Sequence, residues 1–265
     1  MEAQAALAGE QILLKHFYYL INNRQPLREE LSNILEDVEA GSVPAVELRI
    51  VRVLGRRASD RRYNLTYFEA NMLYCVGPNM VIQGVREGGQ ELMKADPSPY
   101  SHCPQVSSFD CRDRLLVVAT EEERSNVFVW DVKSQSCLSQ MRVDCAFVYM
   151  IRFMGPSMVA YYGLNDHYEL VVGLLDWTAK QVLGLARLPF SGNWTVRDIA
   201  PIEAGYLPQF ATCGYLHLCL WELRGGVLNR RHFNSDPDGR YLCLRELDGY
   251  IIVGSEEGSL SLWNK

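Results

Sequence analysis

Apolar and polar residues alternate along most of this chain in runs of four to eight, the period of a strand with one buried face. Val46, Leu48 and Ile50 alternate with Glu47 and Arg49. Phe128 and Trp130 flank Val129, and Leu260 and Leu262 stand between serines. Turn-forming clusters separate the runs: Gly77-Pro78-Asn79, Gly88-Gly89, Gly155-Pro156-Ser157, Gly225-Gly226 and Asp236-Pro237-Asp238-Gly239. Short strands between such turns predict an all-β protein. Residues 1–44 read differently. Ile12, Leu13, Leu14, Phe17, Tyr18, Leu20 and Ile21 are densely apolar without alternation, and Leu27, Leu31, Ile34, Leu35 and Val38 recur at three- and four-residue steps. That spacing predicts two short helices, interrupted at Pro26 and stopped at Gly41, with a linker through Pro44.

The strands repeat. Four units close on tryptophan, Trp130, Trp177, Trp221 and Trp263, which lie 47, 44 and 42 residues apart. A period of about 40–45 residues is that of one four-stranded blade of a WD40-type β-propeller. Three units carry an earlier strand of small residues, Val117–Thr120, Phe210–Gly214 and Ile252–Ser255. Small residues suit tight packing near a propeller axis, with the following aromatic anchoring blade to blade. A unit without tryptophan precedes them at 64–83. The expectation is therefore a helical segment over 1–44 and, over 45–265, about five blade-like units of a partial propeller. Another chain or segment is expected to complete it.

The segment Gly55-Arg56-Arg57-Ala58-Ser59-Asp60-Arg61-Arg62-Tyr63-Asn64-Leu65 resembles the motif that opens the propeller of echinoderm microtubule-associated protein-like (EML) proteins. The matching positions are Gly55, Arg57, Asp60, Arg62, Asn64 and Leu65. Asn165-Asp166-His167 leading to Leu175-Asp176-Trp177 is similar to an EML blade. So is Phe210-Ala211-Thr212-Cys213-Gly214-Tyr215-Leu216-His217-Leu218-Cys219-Leu220-Trp221. The likeness covers roughly 46–265. It departs at Val53 and Leu54, where the family has aromatics, and at Ala58, where it has glycine. It implies a structural role for Gly55, Asp60, Asn64, His217 and the four repeat tryptophans. It also implies tubulin or other cytoskeletal proteins as partners, in the cytoplasm, the cytoskeleton or a ciliary axoneme.

Composition narrows the chemistry. The net charge of −6 argues against general attraction to nucleic acid or to acidic lipid. No run is long and apolar enough to predict a transmembrane helix. Eight cysteines without a C-x-x-C pair, in a chain without a signal-like start, are expected to be reduced thiols. No phosphate-binding loop or nucleophile elbow occurs, so no catalytic residue and no cofactor is predicted. Of the scattered histidines, His102-Cys103 and Cys213/His217 are the nearest metal-like groupings. Zinc ligands usually come in tighter pairs, so no metal site is predicted either.

One basic cluster stands out: Arg56, Arg57, Arg61 and Arg62. It could meet an acidic partner such as the tubulin tails. Arg57 and Arg62 could instead form an internal network with Asp60, leaving Arg56 and Arg61 for contact. Ser59 lies in a basophilic kinase-like context. The helical stripe at Leu27–Val38 could dock on a partner or on its own domain. The chain is expected to be a non-catalytic binding module of the microtubule cytoskeleton. The alternative is a general WD-repeat scaffold in a cytosolic complex.

Overall fold

The computed structural model describes residues 65–76, 79–84, 88–94, 105–188, 195–202, 208–233 and 239–264, all within the compact unit Leu54–Lys265. The expected helices over 1–44 and the arginine cluster lie outside the described residues. Local chemistry favours hairpins. Glu69, Asp113, Gln135, Lys180, Leu216 and Asp248 take φ of 50–54° at the tips between strands, and Gly225-Gly226 serve the same role at 58° and 79°. These left-handed positions turn the chain tightly enough for neighbouring runs to pair.

The described residues form nineteen strands in five antiparallel sheets whose strands follow chain order. The first sheet holds β1 (Leu65–Phe68), β2 (Asn71–Val76), β3 (Asn79–Gly84) and β4 (Gln90–Lys94). The second holds β5 (Gln105–Arg112), β6 (Leu115–Glu121), β7 (Asn126–Asp131) and β8 (Ser136–Arg142). The third holds β9 (Phe147–Phe153), β10 (Met158–Leu164), β11 (Leu170–Asp176) and β12 (Gln181–Leu188). The fourth holds β13 (Thr195–Ile202), β14 (Gln209–Tyr215), β15 (His217–Arg224) and β16 (Val227–His232). The fifth has three strands among the described residues, β17 (Tyr241–Leu247), β18 (Tyr250–Ser255) and β19 (Leu260–Asn264). The first strands lie side by side, β5 against β1 and β9, and β13 against β9 and β17. This is the arrangement of propeller blades, with first strands innermost. The small-residue runs fall on second strands, β6, β14 and β18. Two of them, β6 and β14, are covered by the first strand of the next sheet. Their small side chains thus admit a neighbouring blade.

The core is four apolar layers, one between each pair of consecutive sheets. Each repeat tryptophan sits in the layer shared with the sheet before it. Trp130 packs with Phe68 and Leu73 of the first sheet, and Trp221 with Met150 and Tyr162 of the third. Trp177 and Trp263 are partly buried against the second and fourth layers. Trp221 is fully buried and stacks on Phe210 at 6.1 Å between ring centroids. Truncating such an indole costs about 3–5 kcal/mol.

Polar contacts add register. Asp198 is fully buried on β13. Its Oδ2 accepts Leu244 N–H at 3.0 Å and Arg245 Nη1–H at 3.0 Å from β17, and its Oδ1 accepts Ile199 N–H at 2.9 Å. Between the second and third sheets, Ser108 Oγ accepts Ile151 N–H at 3.2 Å and Asp110 Oδ2 accepts Phe153 N–H at 2.9 Å. Burial raises the Asp110 carboxyl above its usual range, against the pull of Arg152 at 3.7 Å.

A second network fixes the indole of the fourth sheet. Trp221 Nε1–H donates to Thr212 Oγ1 at 2.8 Å, and Thr212 Oγ1 lies 2.6 Å from His217 Nε2. His217 Nδ1 faces Cys219 Sγ at 3.7 Å, and Cys219 Sγ lies 3.2 Å from His232 Nδ1 at the surface. One assignment satisfies every atom: the Thr212 hydroxyl donates to Nε2, Nδ1–H donates to sulfur, and the thiol donates to His232. The protonation states agree with it. Burial pushes the Cys219 thiol up to about 12 and His217 down to about 3, so the first stays protonated and the second neutral.

Two outcomes follow from this packing. Asp198→Ala strands a buried Leu244 N–H and is expected to lower unfolding stability by about 2–3 kcal/mol. Arg245→Ala, whose side chain is 62 % exposed, is expected to cost under about 1 kcal/mol. Urea unfolding of both variants checks the order, and equal losses would contradict it. The depressed His217 means that the unfolded chain binds one more proton than the folded one between about pH 6.5 and 3. Its contribution is therefore complete above pH 6.5 and is lost as pH falls, by about 1.4 kcal/mol per pH unit. His217→Gln is expected to flatten the stability profile by that slope between pH 6 and 4, measured by urea unfolding at each pH.

Candidate functional site

Four of the five inner strands among the described residues, β5, β9, β13 and β17, share a defect. Each loses register against its partner by one residue near its start, at Ser107, Tyr149, Arg197 and Leu242. A bulge of this kind leaves one residue unpaired and re-aims its side chain. Repetition of the bulge brings these four positions to one end of the molecule. Ser107 turns inward, and its hydroxyl donates to Ala119 O at 3.1 Å. Tyr149 and Arg197 are exposed, and Leu242 is half-buried.

An aromatic cluster forms around the second of these bulges. The Tyr149 ring lies 4.7 Å from Phe147 in a tilted arrangement and stacks at 5.6 Å on Tyr162. Burial raises the Tyr162 hydroxyl well above the usual tyrosine range, so it stays neutral. Beside the cluster, the turn between β10 and β11 is folded by Asn165. Its Oδ1 accepts His167 N–H at 3.1 Å and Glu169 N–H at 2.8 Å, and its Nδ2 donates to Glu169 Oε2 at 2.9 Å. This turn presents Tyr168, which is largely exposed, at a φ of 59°. Arg187 closes the edge with an ion pair to Asp144 at 2.6 Å and a longer one to Glu169 at 3.9 Å. Asp144 holds the Arg187 guanidinium yet more firmly charged.

The arrangement offers broad aromatic contact and fixed charge. It holds no nucleophile with an adjacent base. Cys145, buried close by, is pushed up to about 12 by desolvation and the carboxylates of Asp144 and Asp166, so its thiol is unreactive. Tyrosine-rich surfaces of this kind supply rigid, amphipathic contact area for a protein partner.

Several residues singled out in the sequence lie elsewhere. Trp130, Trp221 and Trp263 are on third strands, and Trp177 follows the third strand of its sheet, Nε1–H donating to Pro156 O at 3.1 Å. All four belong to the layers between sheets. Cys213 and His217 do not meet. Cys213 pairs with Leu218 and faces the fifth sheet, whereas His217 pairs with Gly214 and faces the third. The thiol beside His217 is Cys219. Among the described residues, no group of three His, Cys, Asp or Glu is placed to hold a metal ion. Gly55, Arg56, Arg57, Asp60, Arg61, Arg62 and Asn64, together with His102-Cys103, lie outside the described residues. Sequence reasoning passed over the cluster at Phe147, Tyr149 and Tyr162. Its one written signal is the aromatic pair spaced by two in Phe147-Val148-Tyr149, which reads as ordinary strand alternation.

No protein-family model matches the chain. It is 25 % identical over 244 residues to mouse echinoderm microtubule-associated protein-like 2, covering 84 % of this chain and 36 % of that protein. The human counterpart is 24 % identical over the same span. Mouse WD repeat-containing protein 90 is 31 % identical over 133 residues, 48 % of this chain and 7 % of that protein. The chain thus spans about a third of the length of the EML-like 2 proteins it matches. In fold it is similar to the structure of U3-55K, with a TM-score of 0.52, 16 % identity and coverage of 74 % and 58 %. It is also similar to the computationally designed Ika8 protein, with a TM-score of 0.51, 12 % identity and coverage of 76 % and 70 %. Five blade-like sheets among the described residues and indoles at blade spacing describe a propeller-type fold, and the sequence similarities are to proteins of the WD-repeat kind.

Proposed function

We propose that this chain is an EML-like module that docks on the microtubule surface and works by contact, not by bond chemistry. The observation that carries the reading is the similarity to a protein named for microtubule association, which extends over 84 % of the chain. The motif Gly55, Arg57, Asp60, Arg62 and Asn64 supports it, since that pattern is the part of the sequence most like the start of an EML propeller. In this reading Arg57 and Arg62 brace the first blade around Asp60. Arg56 and Arg61 then meet acidic side chains of tubulin, and phosphate on Ser59 would weaken that contact by adding negative charge. The site of action is the cytoplasmic cytoskeleton. The similarity points to the microtubule and not specifically to an axoneme.

A second reading is a scaffold in another multiprotein complex, favoured by the similarity to WD repeat-containing protein 90 and by the aromatic cluster at Tyr149. Co-sedimentation with polymerised microtubules separates the two. The expected result is that the chain pellets with microtubules, that added salt releases it, and that Arg56→Glu/Arg61→Glu weakens binding about tenfold or more. A chain that stays in the supernatant at low salt would overturn the microtubule reading and leave the scaffold.

A further inference from the structure

The fourth sheet ends on β16, and no described strand pairs with the outer edge of that strand. Phe233 N–H donates to Leu218 O at 3.1 Å, and β15 and β16 are in register from Cys219 opposite His232 to Arg224 opposite Val227. Residues in an antiparallel pair alternate between bonding across the pair and turning their backbone groups away from it. Val227, Asn229 and Arg231 therefore bond to β15, whereas Leu228, Arg230 and His232 turn their N–H and C=O groups outward. An edge of this kind accepts one more strand.

The side chains on this edge differ from those of the other outer strands. β16 carries Arg230, Arg231 and His232 in succession, all exposed, and no carboxylate. β4 carries Glu91 as well as Lys94, and β8 and β12 carry one arginine each, Arg142 and Arg187. Arg187 is taken up by Asp144 at 2.6 Å. A single charge serves to guard an edge against stray pairing, and two arginines followed by a histidine exceed that need. Successive residues of a strand point to opposite faces. Arg230 opposes Trp221, on the side of the third sheet, and Arg231 opposes Leu220, on the side of the fifth. The Arg231 guanidinium is held over the Phe233 ring, 5.4 Å from its centroid. Glu222, across from Asn229, is engaged by Arg224 and by Gln209 Nε2–H at 2.8 Å.

We propose that the outer edge of β16 binds an extended acidic segment of another protein by strand addition. The backbone of that segment bonds to the outward groups of Leu228, Arg230 and His232. Its side chains alternate between the two faces, so carboxylates on consecutive residues are needed to meet Arg230 on one face and Arg231 on the other. Each guanidinium offers a carboxylate paired, charge-assisted hydrogen bonds. Charge thus selects the acidic segment from the many strands that an open edge would otherwise accept. In a chain of net charge −6, attraction of an anionic partner has to come from a local patch of this kind. The inference involves neither Arg56 nor Arg61 and does not rest on the microtubule reading.

Titration of the full chain into a fluorescent octaglutamate peptide, followed by anisotropy, tests the charge requirement. Saturable binding that added salt weakens is expected, with none to octalysine. Arg230→Gln/Arg231→Gln is expected to weaken binding about tenfold or more. Both side chains are exposed, so this variant should melt like the unaltered chain. Hydrogen exchange on the unaltered chain tests the strand itself. Saturating peptide is expected to slow the amides of Arg230 and His232 about tenfold or more and to leave those of β4, β8 and β12 unchanged. Absence of binding at low salt would overturn the proposal, as would full-strength binding by the double variant. A single-stranded oligonucleotide that binds as tightly and slows the same amides would mean a general anion patch and would also overturn it. Binding without slowed amides would mean a salt contact with no added strand. Amides of Arg230 and His232 that are already slow in the free chain would mean that the edge is paired internally. Either result rejects strand addition.

Discussion

Burial of apolar surface between successive sheets is the interaction on which everything else here rests. The inner sheets are apolar on both faces, and none could stand in water alone. Val118 and Phe128 of the second sheet belong to one layer, and Val117, Val127 and Val129 of the same strands belong to the next. A strand such as β7 is therefore buried over its whole length, without the polar side that a two-layer sandwich would show. At about 25 cal/mol per Å² of apolar area removed from water, such layers dominate the stability of the unit. The indoles contribute because each is large enough to reach across to the preceding sheet.

Non-directional packing alone would let neighbouring sheets slide. The buried carboxylate of Asp198 and the hydroxyl of Ser108 prevent this by accepting backbone N–H groups from the next inner strand. Such groups are costly to leave unpaired, so they specify one register. The bulges complete the same logic. By interrupting the inner strands β9 and β13 near their starts, they free Tyr149 and Arg197 from the ladder and turn them outward. The aromatic surface at Tyr149 is thus a by-product of how the inner strands are seated, carried on rigid strands and not on a long loop.

The architecture was legible in the sequence because its signal is periodic. Trp130, Trp177, Trp221 and Trp263 mark four layers, and their spacing needs no knowledge of pairing. The first unit, read over 64–83, was legible only as strands, because no tryptophan in it marks a layer. The candidate site was not legible. A bulge depends on the partner strand, so the outward turn of Tyr149 cannot be counted off along the chain. The pairing of histidine with cysteine shows the same limit. Cys213 and His217 are an even number of residues apart, which in one strand would put them on the same face. The tight turn at Leu216 lies between them, and the register it sets opposes His217 to Gly214. The small-residue runs were read as lying near the axis. They occupy second strands, because the demand they answer is close approach of the next sheet and not crowding at the centre.

Among the described residues, each sheet packs chiefly on its immediate neighbours, as in other stacked repeat architectures. Cohesion is then unequal along the stack. The third sheet is clasped from both sides, whereas the fifth, with Leu260 and Leu262 in solvent, is held from one. Opening fluctuations begin where the fewest contacts must break, so amide hydrogens of β19 exchange with solvent well before those of β10 and β11.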